Sequence, residues 1–406
     1  MATFRYSARD ASGRVVAGAI DAETEVLVIG KLQEMGFFVT SLQKQAGRGE
    51  FRLGLRGLRG LRRVGLRELT VFARQFATMV NAGLSMVRTL TILEQQTESQ
   101  KLRQIVGEVR KDVEEGMTLS DSFGKHPETF NTLMVNMVRA GEVGGVLDDV
   151  LNRVATFFEK DLSLRQKVRA AITYPAAIMT FALGVIFFLV FFILPQFIGF
   201  FKGLDLVLPL PTRVLIFSTE LLTGYWYVFL GFILLGLYGF RMYINTPAGR
   251  FRFDTFKLRV PVFGPLVRKV TISRFTRTLG TLISSGVPIM QALEVVAKAV
   301  ENKVVSQAIE SVRSSIREGE SIAVPLQSSG LFPPMVVQMT AVGEETGTLD
   351  SMLQKVADFY DAEVETTLAQ LTSILEPLLI MFLGFVVGFI VLSFYMPLYQ
   401  LITGIK

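Results

Sequence analysis

The sequence predicts an all-α membrane protein: two repeated cytoplasmic six-helix bundles and three transmembrane helices, preceded by a small N-terminal α+β domain. Half of the 406 residues are hydrophobic and only 19% are charged, a balance that water-soluble chains rarely show. Three uncharged stretches, Ala170 to Phe201, Leu221 to Phe240 and Pro377 to Ile405, reach the roughly 20 residues that a helix needs to cross a bilayer core. Internal repetition is the third sign: RAGEVGGVLDD from Arg139 is echoed by AVGEETGTLDS from Ala341, 202 positions on.

Residues 1–45 read as a ββαβ domain. Apolar and polar residues alternate around Phe4, Tyr6 and Ala8, the chain turns at DASGR, and a second strand runs through Ile20. A helix ending near Gly36 and a closing strand in FFVTSL follow. The chain opens on this alternation and not on an apolar run, so no cleavable signal peptide is expected. In the linker over 46–66, FRLGLRGLRGLRRVGL cycles Leu, Arg and Gly every third residue. Each glycine disfavours a free helix by roughly 0.5–1 kcal/mol, whereas each basic residue beside an anionic leaflet gains about 1 kcal/mol. The segment reads either as a flexible tether or as a strip lying on the membrane surface.

The first bundle is expected over 67–170. Apolar residues at three- and four-residue spacing, such as Leu69, Phe72, Phe76, Met79 and Val80, mark helices near Arg67–Asn81, Ser85–Thr97, Ser99–Glu115, Thr118–Phe123, Phe130–Ala140 and from Val146 onward. Ser85 suits a helix N-cap, its counterpart Pro288 a first turn, and Gly83, Gly116 and Gly141 helix ends. The second bundle, over 270–372, repeats the first: FARQFATMVNAG from Phe72 matches FTRTLGTLISSG from Phe275 at an offset of 203. From Phe130 and Phe332 the offset is 202, which carries Pro175 onto Pro377 and Pro195 onto Pro397. Each repeat therefore contains a bundle and the span that leaves it.

The spans are placed at 171–194, 221–243 and 373–396, with a periplasmic loop over 195–220 and a short periplasmic tail over 397–406. Lys160, Arg165, Lys167 and Arg169 precede the first span and Arg241, Arg250, Arg252, Lys257 and Arg259 follow the second, whereas the loop between holds Lys202 and Arg213. The positive-inside rule puts both bundles in the cytoplasm. The acidic approach to the third span, DFYDAEVETTL, counts little in that rule. Two homologous bundles on one side need one unduplicated return crossing, and the second span supplies it.

In the repeated motif the glycines Gly141 and Gly145, like Gly343 and Gly347, are expected to turn the chain after a helix ends near Gly141. Asp148, Asp149 and Asp350 then fall in the first turn of the next helix, where carboxylates gain roughly 0.3–1 kcal/mol each. Thr346 and Thr348 are available as caps. Glu142 and Glu344 are left open between bonding free amides at the turn, contacting a partner and binding a cation. Glu376 is the one carboxylate near a membrane interior, and Pro377 after it leaves the Ser373 carbonyl without its helical donor; it reads as a functional group or as a snorkelling side chain. Gly384 and Gly388 form a small-xxx-small face for close helix contact within or between protomers.

Several chemistries are excluded. The chain holds no cysteine, which removes disulfides, thiolate metal sites and cysteine nucleophiles. Its one histidine, His126 in GKHPETF, cannot build a histidine metal cluster and reads as a solvated turn residue. No phosphate-cradling G-x-x-x-x-G-K-[ST] occurs, the nearest stretch being VIGKL. A net charge of +6 without an aromatic-basic module argues against nucleic acid. A secondary transporter would need more spans, and the repeat separates Glu142 from Glu344, which disfavours a paired-carboxylate enzyme.

The doubled Gly-Glu motif, Tyr174-Pro175, Glu376-Pro377, PVFGPLVRK before the second bundle and FRYSARDASGRVVAGAIDAE near the N-terminus resemble the PilC/GspF family of inner-membrane platform proteins of type IV pilus and type II secretion machines. The resemblance covers essentially the whole chain. It implies a non-enzymatic, oligomeric scaffold without cofactor, contacting a hexameric assembly ATPase in the cytoplasm, pilins in the bilayer and other inner-membrane assembly proteins. The N-terminal domain would dock such a partner or merely stabilise the chain. FFVTSL and FYMPLYQLI lean toward the pilus branch, with the secretion platform as the alternative.

Overall fold

The computed structural model describes residues 2–9, 15–22, 25–36, 38–44, 64–202, 208–261 and 263–403. The chain divides into two compact units, Met1–Arg62 and Arg63–Lys406. In the first, β1 (Ala2–Arg9), β2 (Val15–Ala22), α1 (Glu25–Glu34) and β3 (Phe38–Lys44) form an antiparallel sheet in the order β2-β1-β3 with one helix. Phe4 pairs with Ile20 on one side and Lys44 on the other, and the β1–β3 register shifts between Ser7 and Ala8. Val28 and Leu32, one turn apart on α1, are buried, as is Ala8. The DASGR turn and the linker up to Arg63 lie outside the described residues.

The second unit opens with α2 (Leu66–Asn81), α3 (Met86–Gln96), α4 (Gln100–Glu114), α5 (Leu119–Gly124), α6 (Thr132–Gly144) and α7 (Leu147–Phe188). On α2 the buried side chains Leu69, Phe72, Ala73, Phe76 and Ala77 fall at helical spacing, and so face one core. Four rings build its centre: Phe72 and Phe76 stand 5.6 Å apart, and Phe123 and Phe130 4.1 Å apart. Thr118 and Asn131 cap α5 and α6 by accepting bonds from Asp121 N and Met134 N. Ser85, at the equivalent position before α3, has extended backbone but makes no side-chain capping bond.

α7 runs without a break from the bundle into the first apolar stretch. A wide π-helical turn, Leu189–Ile193, then precedes α8 (Leu194–Lys202), where Pro195 cannot donate a backbone hydrogen bond. The segment 195–220, expected as a loop, is largely helical: α8 continues to Lys202 and α9 spans Leu210–Gly224, with Pro211 in its first turn, a position that tolerates proline. α9 packs on the third span, where buried Thr212 donates to the Ser393 carbonyl at 2.7 Å. α10 (Trp226–Asn245) is the unduplicated span, and α11 (Pro247–Arg259) follows it.

The second bundle comprises α12 (Phe263–Ser284), α13 (Ile289–Ala299), α14 (Lys303–Arg317), α15 (Ala323–Ser328), α16 (Pro334–Thr346) and α17 (Leu349–Thr403). α17 has 55 residues, roughly 80 Å at 1.5 Å per residue. It carries Pro377 and Pro397 inside the helix and absorbs the stretch expected as a tail up to Thr403. Three helices among the described residues are long and apolar enough to cross a membrane: Leu147–Phe197, Trp226–Asn245 and Leu349–Gln400. The bundles share one apolar core, and a second cluster of Leu164, Leu266, Val364, Leu368 and Leu371 joins α7, α12 and α17 toward the membrane.

Candidate functional site

The repeated Gly-Glu motif lies within a helix, which corrects the expected end at Gly141. α6 continues to Gly144 and α16 to Thr346; only Gly145 and Gly347 take the left-handed conformation, with φ of 67° and 68°. Gly141 and Gly343 serve close approach instead. A Cβ on Gly141 would stand 3.0 Å from the Val150 side chain, and one on Gly343 would stand 2.7 Å from the Leu349 Cα. Packing against the next helix thus outweighs the roughly 1 kcal/mol that glycine costs inside a helix.

With the helix prolonged, the glutamates point at another element. Glu142 accepts from the amides of Leu119 at 2.6 Å and Ser120 at 3.2 Å, the opening of α5. Glu344 accepts from the Ile322 amide with both oxygens, at 3.1 and 2.9 Å, just before α15. The first amides of a helix lack partners within it, so a carboxylate there satisfies donors and meets the positive end of the dipole. Glu142 and Glu344 therefore meet amides, though not those of their own turn. Asp148, Asp149 and Asp350 lie in the first turns of α7 and α17. Thr346 and Thr348 bond each other through their hydroxyls at 2.7 Å.

A second repeated contact was not singled out in the sequence. Arg74 grips Glu159 at 2.6 Å in the first bundle, and Arg277 grips Asp361 at 2.6 Å in the second, positions related by the same two offsets. Hydrogen bonding from Arg74 holds the Glu159 carboxyl below its ordinary pKa, burial opposing and the Arg74 charge assisting. Around the second pair, α7 reaches across: Lys160 approaches Asp358 at 3.8 Å, Arg274 approaches Asp161 at 3.5 Å, and Lys167 pairs with Glu365. Opposite charges at equivalent repeat positions were the available signal.

Asp254 on α11, only 2% exposed, also escaped sequence reasoning. It accepts from the Lys303 amide at 2.8 Å and from Lys257 at 3.0 Å, tying the segment after the second span to the start of α14. It belongs to the unrepeated part of the chain, so the repeat gave no hint of it.

In the spans, Tyr174 is exposed beside Pro175 on α7, and Glu376 and Pro377 are exposed on α17. Glu376 has no hydrogen bond or ion pair with the described residues. Among the described residues nothing stands within 4 Å of an ideal Cβ on Gly384 or Gly388, so their small face makes no close helix contact with them. His126 sits in the turn before α6, half-buried, with Nε2 3.5 Å from a Glu108 carboxylate oxygen. No group of three or more His, Cys, Asp or Glu among the described residues could hold a metal ion.

The comparisons agree over the whole chain. The family described as Type II secretion system (T2SS), protein F matches twice, at residues 72–195 and 275–397, and its N-terminal domain matches residues 1–43. The chain is 44% identical to the type IV pilus assembly protein PilC of Thermus thermophilus, covering 99% of this chain and 98% of that one. It is 40% identical to PilC of Myxococcus xanthus over 100% and 96% of the two chains. With the type II secretion system protein F of Vibrio cholerae it shares 33% identity over 99% and 98%.

Proposed function

The chain belongs to the type II secretion system protein F family, and from that premise we propose that it is the inner-membrane platform protein of a type IV pilus assembly machine. The pilus relatives at 44% and 40% identity, against 33% for the secretion relative, support the pilus reading. The observation that carries the mechanism is the continuity of α7 and α17. Each passes from a bundle core into a spanning segment without an intervening loop, so a displacement of either bundle reaches the bilayer undamped.

In this reading both bundles face the cytoplasm, where a hexameric assembly ATPase acts on them, and pilins are inserted or extracted beside the spans. The chain contributes shape and no catalytic group. Glu376 and the Gly384–Gly388 face are unpartnered among the described residues and are the proposed contacts to pilins or to a second copy. Tyr174-Pro175, the repeat counterpart of Glu376-Pro377, marks the equivalent place on the first span. Energy comes from the partner.

Because the chain has no cysteine, single cysteines report topology directly. Val143→Cys and Glu345→Cys, exposed equivalents in the two bundles, should stay unlabelled by a membrane-impermeant maleimide on intact cells, whereas Leu210→Cys should react. Deleting the gene should abolish surface pili and leave protein secretion intact. Labelling of one bundle but not the other, or normal piliation in the deletion strain, would overturn the proposal.

A further inference from the structure

A cleft of about 890 Å³ opens between α7, from Leu164 to Thr180, and the α11–α12 corner, with Val300 to Asn302 at one end. Its polarity is graded. Arg165 and Arg274 both approach Glu301 and Asp161, so these two arginines mark one end. From there α7 runs toward the membrane through Val168, Ile172 and Ala176, and α12 runs back through Val270, Val267 and Phe263, all lining the cleft. One end is therefore charged and the other apolar, and the change falls where α7 leaves its charged collar for the uncharged span.

Two groups at the charged end are under-satisfied. Arg169 makes no ion pair with the described residues. The Nε of Arg274 is buried and makes no hydrogen bond; its nearest carboxylate, Asp161 Oδ1, stands 3.5 Å away as an ion pair, which leaves the donor under-satisfied. Asp161, Asp254 and Glu301 partly neutralise Arg165, Arg274 and Lys257; Arg169 stays uncompensated.

We propose that the cleft holds one anionic phospholipid from the leaflet on the bundle side, its phosphate beside Arg169 and Arg274 and an acyl chain along Val168, Ile172 and Ala176. Basic pockets between spanning helices recognise anionic headgroups in this way, and a cleft of this size suits a single lipid chain and headgroup. The lipid would wedge α7 against α12, and so couple the first span to the second bundle. The inference requires that α7 cross a membrane, and does not depend on the pilus role; a piliation result leaves it standing.

The full chain in nanodiscs of mixed phosphatidylglycerol and phosphatidylcholine, examined by native mass spectrometry, tests it. One phosphatidylglycerol should survive activation that strips phosphatidylcholine, and Arg169→Gln should lower its retention about fivefold while Arg169→Lys preserves it. Ala176→Trp, which fills the apolar end from an exposed position, should abolish retention without altering helix content by circular dichroism. Equal retention of both lipids, as expected if a partner's helix fills the cleft, would overturn the proposal. So would release of the lipid by excess inorganic phosphate, which would make the site one for free oxyanions, or unchanged retention in both Arg169→Gln and Ala176→Trp.

Discussion

The two bundles repeat the same contacts under different cover. Phe72 and Phe130 stand 5.9 Å apart in the first, and their equivalents Phe275 and Phe332 stand 4.8 Å apart in the second. Phe76 and Phe123 of the first core are replaced by the smaller Leu279 and Leu326, both buried. The contrast is sharper for the repeated ion pair. Arg74 and Glu159 are 37% and 43% exposed, whereas Arg277 and Asp361 are 9% and 19% exposed. Arg277 has a second carboxylate, Asp358, at 3.0 Å, and Lys160 of α7 lies over that group. The pair recurs in both bundles, and in the second the long helix of the first bundle docks beside it through Lys160.

The largest test of this contrast is to delete each arginine. Arg74→Ala should cost less than about 1 kcal/mol, because exposed pairs are screened and entropically expensive to hold. Arg277→Ala leaves Asp361 covered, with the Ser273 hydroxyl as its remaining donor, and should cost about 3 kcal/mol, the lower end for a broken buried pair, since Asp358 remains wet. Thermal unfolding of the detergent-solubilised full chain reads both. Equal losses would mean that the cover from α7 contributes nothing.

The paired glycines sharpen the comparison at the next level. At Gly343 an added Cβ meets backbone, the Leu349 Cα at 2.7 Å; at Gly141 it meets the Val150 side chain at 3.0 Å and the Leu147 Cα at 3.3 Å. Overpacking costs about 1–3 kcal/mol, and alanine returns about 1 kcal/mol of helix propensity. Gly343→Ala should therefore destabilise by about 2 kcal/mol, and Gly141→Ala by about 1 kcal/mol or less. If the first variant proves the milder, then α16 and α17 separate more easily than α6 and α7.

What the sequence made legible follows from the length and purity of each signal. The spans and the doubled bundle rested on runs of many residues and on offsets that held across them. Helix ends rested on single glycines: Gly83 and Gly116 do follow helix ends with positive φ, but Gly141, read as a terminator, lies inside α6 because its missing side chain admits the next helix. The segment 195–220 was expected as a loop, yet α9 starts within it, with Pro211 in its first turn. α11 was unassigned because it carries four basic residues in PAGRFRFDTFKLR, too polar to show an apolar stripe. The targets of Glu142 and Glu344 were hidden because they lie 22 and 23 residues away, across a turn that local reasoning does not close.

The smallest effect separates charge from packing in the exposed pair. The Glu159 carboxyl is held below the 4.5 of an ordinary glutamate by its hydrogen bonds to Arg74. A carboxyl depressed in the folded state contributes stability that is fully present above its unfolded pKa and is lost as pH falls through the folded value. The gap between the natural chain and Arg74→Ala should accordingly be constant near neutrality, begin to shrink below about pH 4.5 and close in stronger acid. Arg74 also bonds Asn152 at 3.1 Å and Thr156 at 3.2 Å, neither of which titrates. A gap that persists in acid would assign the contribution of Arg74 to those neutral contacts, and the two bundles would then differ in the kind of interaction at this position as well as in its burial.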